Sequence, residues 1–73
     1  MSSKIDESIK EIERLIIDMM DRNHVTKIPM NVCLKQYDAK GRMIFLSRMK
    51  YFRRLRRWYK QQPSGVCTYF VRV

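Results

Sequence analysis

Arg42-Met43-Ile44-Phe45-Leu46-Ser47-Arg48-Met49-Lys50-Tyr51-Phe52-Arg53-Arg54-Leu55-Arg56-Arg57-Trp58-Tyr59-Lys60 is the stretch that decides the fold, because it joins dense positive charge to regularly spaced apolar residues. From Lys40 to Lys60 there are nine cations and no Asp or Glu. Phe45, Met49, Phe52, Leu55 and Tyr59 recur at steps of 4, 3, 3 and 4, which reads as the buried face of one long helix running from about Arg42 to Gln61. At about 100° per residue, Arg42, Lys50, Arg53, Arg54, Arg57 and Lys60 then fall within an arc of roughly 120°. Such an arc suits phosphate or an acidic protein patch. Arg48 and Arg56 lie outside it, which requires their heads to snorkel out, to pair with a carboxylate, or to mark a break in the helix.

Upstream, Ser3 with Asp6 three residues later forms a capping-box-like start, and Ile5, Ile9, Ile12, Ile16 and Met19 step by 4, 3, 4 and 3. That pattern predicts an amphipathic helix to about Arg22, ended by Asn23 as a left-handed residue. Val25-Thr26-Lys27-Ile28 alternates like a short strand. Pro29 suits the first turn of a second helix that turns Met30, Cys33 and Leu34 inward and Lys35 and Gln36 outward. Asp38-Ala39-Lys40-Gly41 breaks that helix before the long basic one. Pro63-Ser64-Gly65 stops the basic helix, and Val66-Cys67-Thr68-Tyr69-Phe70-Val71 reads as a strand able to pair with Val25 to Ile28. The expected fold is a single α+β domain spanning 1–73, with three helices and a two-stranded sheet.

Charge is divided along the chain. Residues 1–22 carry six acids against four bases, and residues 23–73 carry twelve bases against Asp38 alone, giving a net +9. The two segments attract each other and face different partners. A chain of 73 residues buries only about 60 to 65% of its unfolded surface, which leaves little room for a catalytic cleft. No Ser, His and Asp constellation and no glycine-rich phosphate loop stands in the sequence, so no catalytic residue and no enzymatic role is assigned. Cys33, Cys67 and His24 match no zinc-ligand spacing and read as buried thiols and a solvated loop histidine, so no metal and no cofactor is expected. The paired Glu11 and Glu13, two apart on a helix, do not face each other. Two cysteines are too few for a disulfide scaffold. With no apolar signal region after the N-terminus, the reading is a cytoplasmic protein, with no membrane partner and no oligomer required.

The order helix, short strand, short helix, turn, long basic helix and closing strand resembles a winged-helix or helix-turn-helix domain with an incomplete wing, since only one strand follows Gly65. The acidic first helix, Phe52-Arg53-Arg54-Leu55-Arg56-Arg57-Trp58-Tyr59 and the Val66 to Val73 tail also resemble the small bacteriophage-encoded regulators of bacterial RNA polymerase, of the Xanthomonas phage antiterminator type. That resemblance implies a protein that binds host RNA polymerase near the nucleic-acid exit path, in the host bacterial cytoplasm, inhibiting initiation and promoting antitermination. On either resemblance the expected contact residues are Arg42, Lys50, Arg53, Arg54, Arg57, Trp58 and Lys60. The alternative function is an autonomous DNA- or RNA-binding module working through the basic helix 42–60. A membrane-surface helix stands third, because the acidic first helix is a ready partner for the apolar stripe. Trp58 and Tyr59 could stack on bases, anchor a protein interface or cap the core.

Overall fold

The computed structural model describes residues 3–62 and 65–73, with side chains left aside over 60–67. Helix α1 (Lys4–Arg22) begins where Ser3 Oγ accepts the Asp6 N–H at 3.1 Å, and Asp6 and Glu7 occupy its positively polarised first turn. It ends at Asn23, whose side-chain amide donates to the Met19 carbonyl at 2.7 Å. The left-handed residue is His24, with φ 54°, and not Asn23, with φ −98°. The buried face is Ile12, Ile16, Ile17 and Met20, while Ile5 at the start of the expected stripe is exposed, as is Leu15.

A short strand β1 (Lys27–Pro29) leads into α2 (Met30–Leu34), which buries Cys33. Asp38 does not simply interrupt the chain. Its carboxylate accepts the Gly41 N–H at 2.8 Å and so starts α3 (Ala39–Arg48).

The long basic helix expected from Arg42 to Gln61 is not one element. Alpha-helix α3 stops at Arg48, a 3-10 turn covers Met49–Tyr51, Phe52 is extended, and Leu55–Gln62 is strand β2. Two physical terms favour the break. In a helix, Arg53, Arg57 and Lys60, and likewise Arg53 and Arg56, would stand three or four apart as like charges, which is destabilising. In a strand, successive cations alternate between opposite faces. Leu55, Trp58 and Tyr59 also suit a pleated surface. The misfit of Arg48 to the helical arc coincides with the end of the helix.

Strand β3 (Gly65–Arg72) pairs antiparallel with β2 over eight residues, from Leu55↔Arg72 to Gln62↔Gly65, and with β1 from Lys27↔Val71 to Pro29↔Tyr69. The expected pairing of the tail with the Val25 to Ile28 region therefore forms. The sheet has three strands in the order β1-β3-β2, one more than expected, because half of the basic segment joins it. The wing is a full hairpin. Helix, strand, two helices and two strands follow in this order, an α+β domain of three helices on a three-stranded antiparallel sheet that has the element order of the expected winged-helix type.

The core lies between one sheet face and the helices. Phe45, Phe70 and Met20 are wholly buried, with Ile12, Ile16, Ile17, Ile28, Cys33 and Leu55 around them. Phe45 sits 5.6 Å from Tyr37, 6.1 Å from Phe52 and 5.7 Å from Phe70, ring centre to ring centre. Each buried Phe contributes about 2 to 3 kcal/mol of transfer free energy. Phe45, Met49, Phe52 and Leu55 thus share one core, though a helix, a 3-10 turn, an extended residue and a strand supply them. Tyr59 is half exposed and takes no part in it.

Candidate nucleic-acid interface

Strand register sorts the wing's side chains. Arg57 is the partner of Phe70, which is the partner of Ile28; both apolar residues are buried, so this row faces the helices. The rows on either side face away from them: Lys27, Val71 and Arg56 in one, and Pro29, Tyr69 and Trp58 in the other. On that outward face the Trp58 and Tyr69 rings stand 5.5 Å apart, and Lys27 Nζ lies 4.9 Å from the first and 5.1 Å from the second. Both distances suit cation–π attraction. Arg57 and Trp58, both expected as contact residues of one basic helix, therefore project from opposite faces of the sheet.

The root of the wing is fixed by α1. Glu13 is buried, and its Oε2 accepts the backbone N–H of Arg54 at 2.6 Å and of Leu55 at 3.1 Å. Those donors belong to the residue before β2 and to its first residue, Leu55, which is buried; a buried N–H without an acceptor would be costly. Beside this anchor runs a groove of about 570 Å³, lined by Lys10, Arg48, Lys50 and Arg53 together with Asp6 and Tyr51. Arg48 donates to Ser47 Oγ at 3.1 Å, while its Nε is buried and has no hydrogen-bond partner among the described residues. Arg54 turns into a neighbouring groove with Glu7, Glu11 and Arg14. Lys50 Nζ lies 5.3 Å from the Tyr51 ring.

Helix α3 presents a different chemistry. Its outward side carries Met43, 73% exposed, with Ile44 and Leu46 at 40% and 44%. Arg42 directs its Nε to the Leu34 carbonyl at 3.1 Å, capping the end of α2 and bracing the helix-turn-helix. Deeper in, burial raises the Cys33 thiol from 9.0 to about 11. Burial first, and then the negative ends of Cys33 and Glu11, also raise the Tyr37 phenol.

The arc of six cations expected on one helix does not exist. Arg42 belongs to the helix-turn-helix brace, Lys50 and Arg53 meet at the groove, Arg54 borders the next one, and Arg57 and Trp58 lie on β2. Lys60 belongs to β2, but its side chain lies outside the described residues, as does that of Cys67. Among the described residues no carboxylate pairs with Lys50, Arg53, Arg54, Arg56 or Arg57; the ion pairs are Arg14 with Glu11 and Asp18, and Arg72 with Asp21.

Sequence reasoning missed Lys27, Tyr69 and Glu13. The first two become visible only once β1, β3 and β2 are aligned. For Glu13 the signal was its place beside Ile12 on the stripe. Among the described residues, no group of His, Cys, Asp and Glu side chains converges to hold a metal ion, and no helix is long and apolar enough to cross a membrane. No protein-family model, no curated protein and no solved structure matches this chain.

Proposed function

We propose that the chain is a small winged-helix regulator of transcription that holds nucleic acid on its basic wing and acts by contact, with no reaction of its own. The wing carries this reading. Arg56 and Arg57 stand on β2 and Arg53 and Arg54 at its root, and none has a carboxylate partner among the described residues. Helix α3 occupies the place of a recognition helix, yet it offers Met43, Ile44 and Leu46 where base reading calls for forked donors and acceptors. Phosphate contact without sequence discrimination follows. If those four arginines each neutralise one phosphate, log affinity for a duplex should fall against log salt with a slope of about −3.5. An affinity that salt leaves unchanged, or no affinity at low salt, refutes the reading.

The exposed apolar side of α3 supports a second contact, with protein. Met43, Ile44 and Leu46 form a patch that a monomeric domain does not need, and the whole-chain resemblance to phage regulators makes bacterial RNA polymerase the partner to try first. Docked near the nucleic-acid exit path, α3 would hold the enzyme while the wing lies along nucleic acid, inhibiting initiation and suppressing termination. A bacterial cytoplasm is the compartment this requires. The reading fails if polymerase freed of nucleic acid forms no complex with the purified protein in gel filtration.

A further inference from the structure

We infer that the outward face of the sheet is a stacking surface for unpaired bases, with Trp58 and Tyr69 taking the bases and Lys27 and Arg56 the phosphates of single-stranded nucleic acid. This rests on the reading that the wing meets nucleic acid, and it specifies the form of the ligand.

Trp58 stands apart from the aromatic core. Tyr37, Phe45, Phe52 and Phe70 pack among themselves, whereas Trp58 is 40% exposed on the opposite side of the sheet. The helices cover only the face that carries Ile28, Leu55 and Phe70, leaving the Pro29–Tyr69–Trp58 row uncovered by them.

The adjacent row supplies charge. Lys27 and Arg56 flank Val71 on the two outer strands, about 9 to 10 Å apart across the sheet. Lys27 already stands within 4.9 and 5.1 Å of the two rings, so a cation and π-faces occupy one site. No Asp or Glu occurs in β1, β2 or β3 to oppose a polyanion. An acidic peptide would match the charge but not the need for flat partners. Paired bases hide their faces in the stack, whereas unpaired ones present them to aromatic side chains, and each stacked base adds an appreciable, sequence-tolerant share of affinity.

Trp58 is the only tryptophan in the chain, so its fluorescence reports on this face alone. The probe is an oligothymidylate of about twelve nucleotides, compared at equal salt with a duplex of the same length and with heparin. The expected result is saturable quenching by the oligothymidylate and little by the duplex or heparin. Trp58→Ala, followed by anisotropy of a labelled strand, should weaken single-strand binding roughly tenfold or more while leaving duplex binding within about twofold. Trp58→Phe, which keeps a ring, should retain most of the affinity; it also guards against a misfolded alanine variant, as does an unchanged circular-dichroism melt. Equal quenching by heparin, unchanged fluorescence while both nucleic acids bind, or equal losses for duplex and single strand in Trp58→Ala would overturn the inference and leave the wing reading standing. Failure of both nucleic acids to bind at low salt would remove both.

Discussion

The Glu13 carboxylate accepts the backbone N–H of Arg54 across 41 positions of sequence, at 2.6 Å, and with the same oxygen the N–H of Leu55 at 3.1 Å. An acidic residue of the first helix thereby fixes where the wing leaves the core. Charge-assisted bonds of this length are stronger than neutral ones, and the Leu55 end of the anchor is buried. The electrostatic attraction between the acidic and basic segments is met here by a carboxylate and a backbone, and at the far end of α1 by Arg72 and Asp21 at 2.7 Å.

Glu13→Ala should therefore destabilise the domain by about 3 kcal/mol, and Glu13→Gln, which keeps one acceptor oxygen, by about half that. A chain of this size has about 4 to 10 kcal/mol in total. Urea unfolding measures both; an alanine variant within 0.5 kcal/mol of the parent would show that the anchor is dispensable.

Gly41→Ala reverses the usual sign. Within a helix this change ordinarily gains about 1 kcal/mol. Here the added Cβ would lie 2.9 Å from Tyr37 Cβ and 3.2 Å from Asp38 Oδ1, the atom that starts α3. A loss of about 1 to 2 kcal/mol is expected in thermal melts, and a gain would contradict the close approach of Gly41 to Tyr37.

Cys33 gives a pH signature. Its thiol rises from 9.0 to about 11 on folding because it is buried. Between those values the unfolded chain has released a proton that the folded chain keeps, so stability falls as pH rises through this window and is unaffected below it. The slope from this group is at most about 1.4 kcal/mol per pH unit. Comparing denaturant midpoints of the parent and Cys33→Ala from pH 8 to 10.5 isolates it. Parallel curves would mean that the thiol ionises freely.

Met43→Asp tests the apolar side of α3. With a side chain 73% exposed, the change should alter stability by less than about 0.5 kcal/mol. Capture of RNA polymerase should be lost while the salt dependence of nucleic-acid binding stays the same. Retained capture would move the protein contact elsewhere.

The first helix, the small strand after it and the short second helix were legible because each rests on local pattern, and the tail's pairing with residues near Ile28 because both segments are rich in β-formers. The basic segment was not. Phe45, Met49, Phe52 and Leu55 do converge on one core, and their spacing is compatible with a helix, yet strand pairing far along the chain decides otherwise. Periodicity reports which residues are buried more faithfully than it reports the element that buries them. The site suffered most from this error. A single helical arc grouped Arg57 with Arg53, whereas alternation on a strand separates Arg57 from Trp58 and brings Trp58 to Lys27 and Tyr69.

Strand β3 is last of the three in sequence and central in space, and β1 and β2 each pair with it and not with each other. A chain cut just before residue 65 would keep two edge strands with nothing between them, and Phe70, which packs against both Phe45 and Phe52, would be missing. β2 and β3 form a local hairpin, but β1 joins the sheet only by pairing with residues 40 to 44 positions further on, a loop whose closure costs entropy before any pairing compensates it. The helices can flicker into being early, but the domain as a whole commits late and all at once.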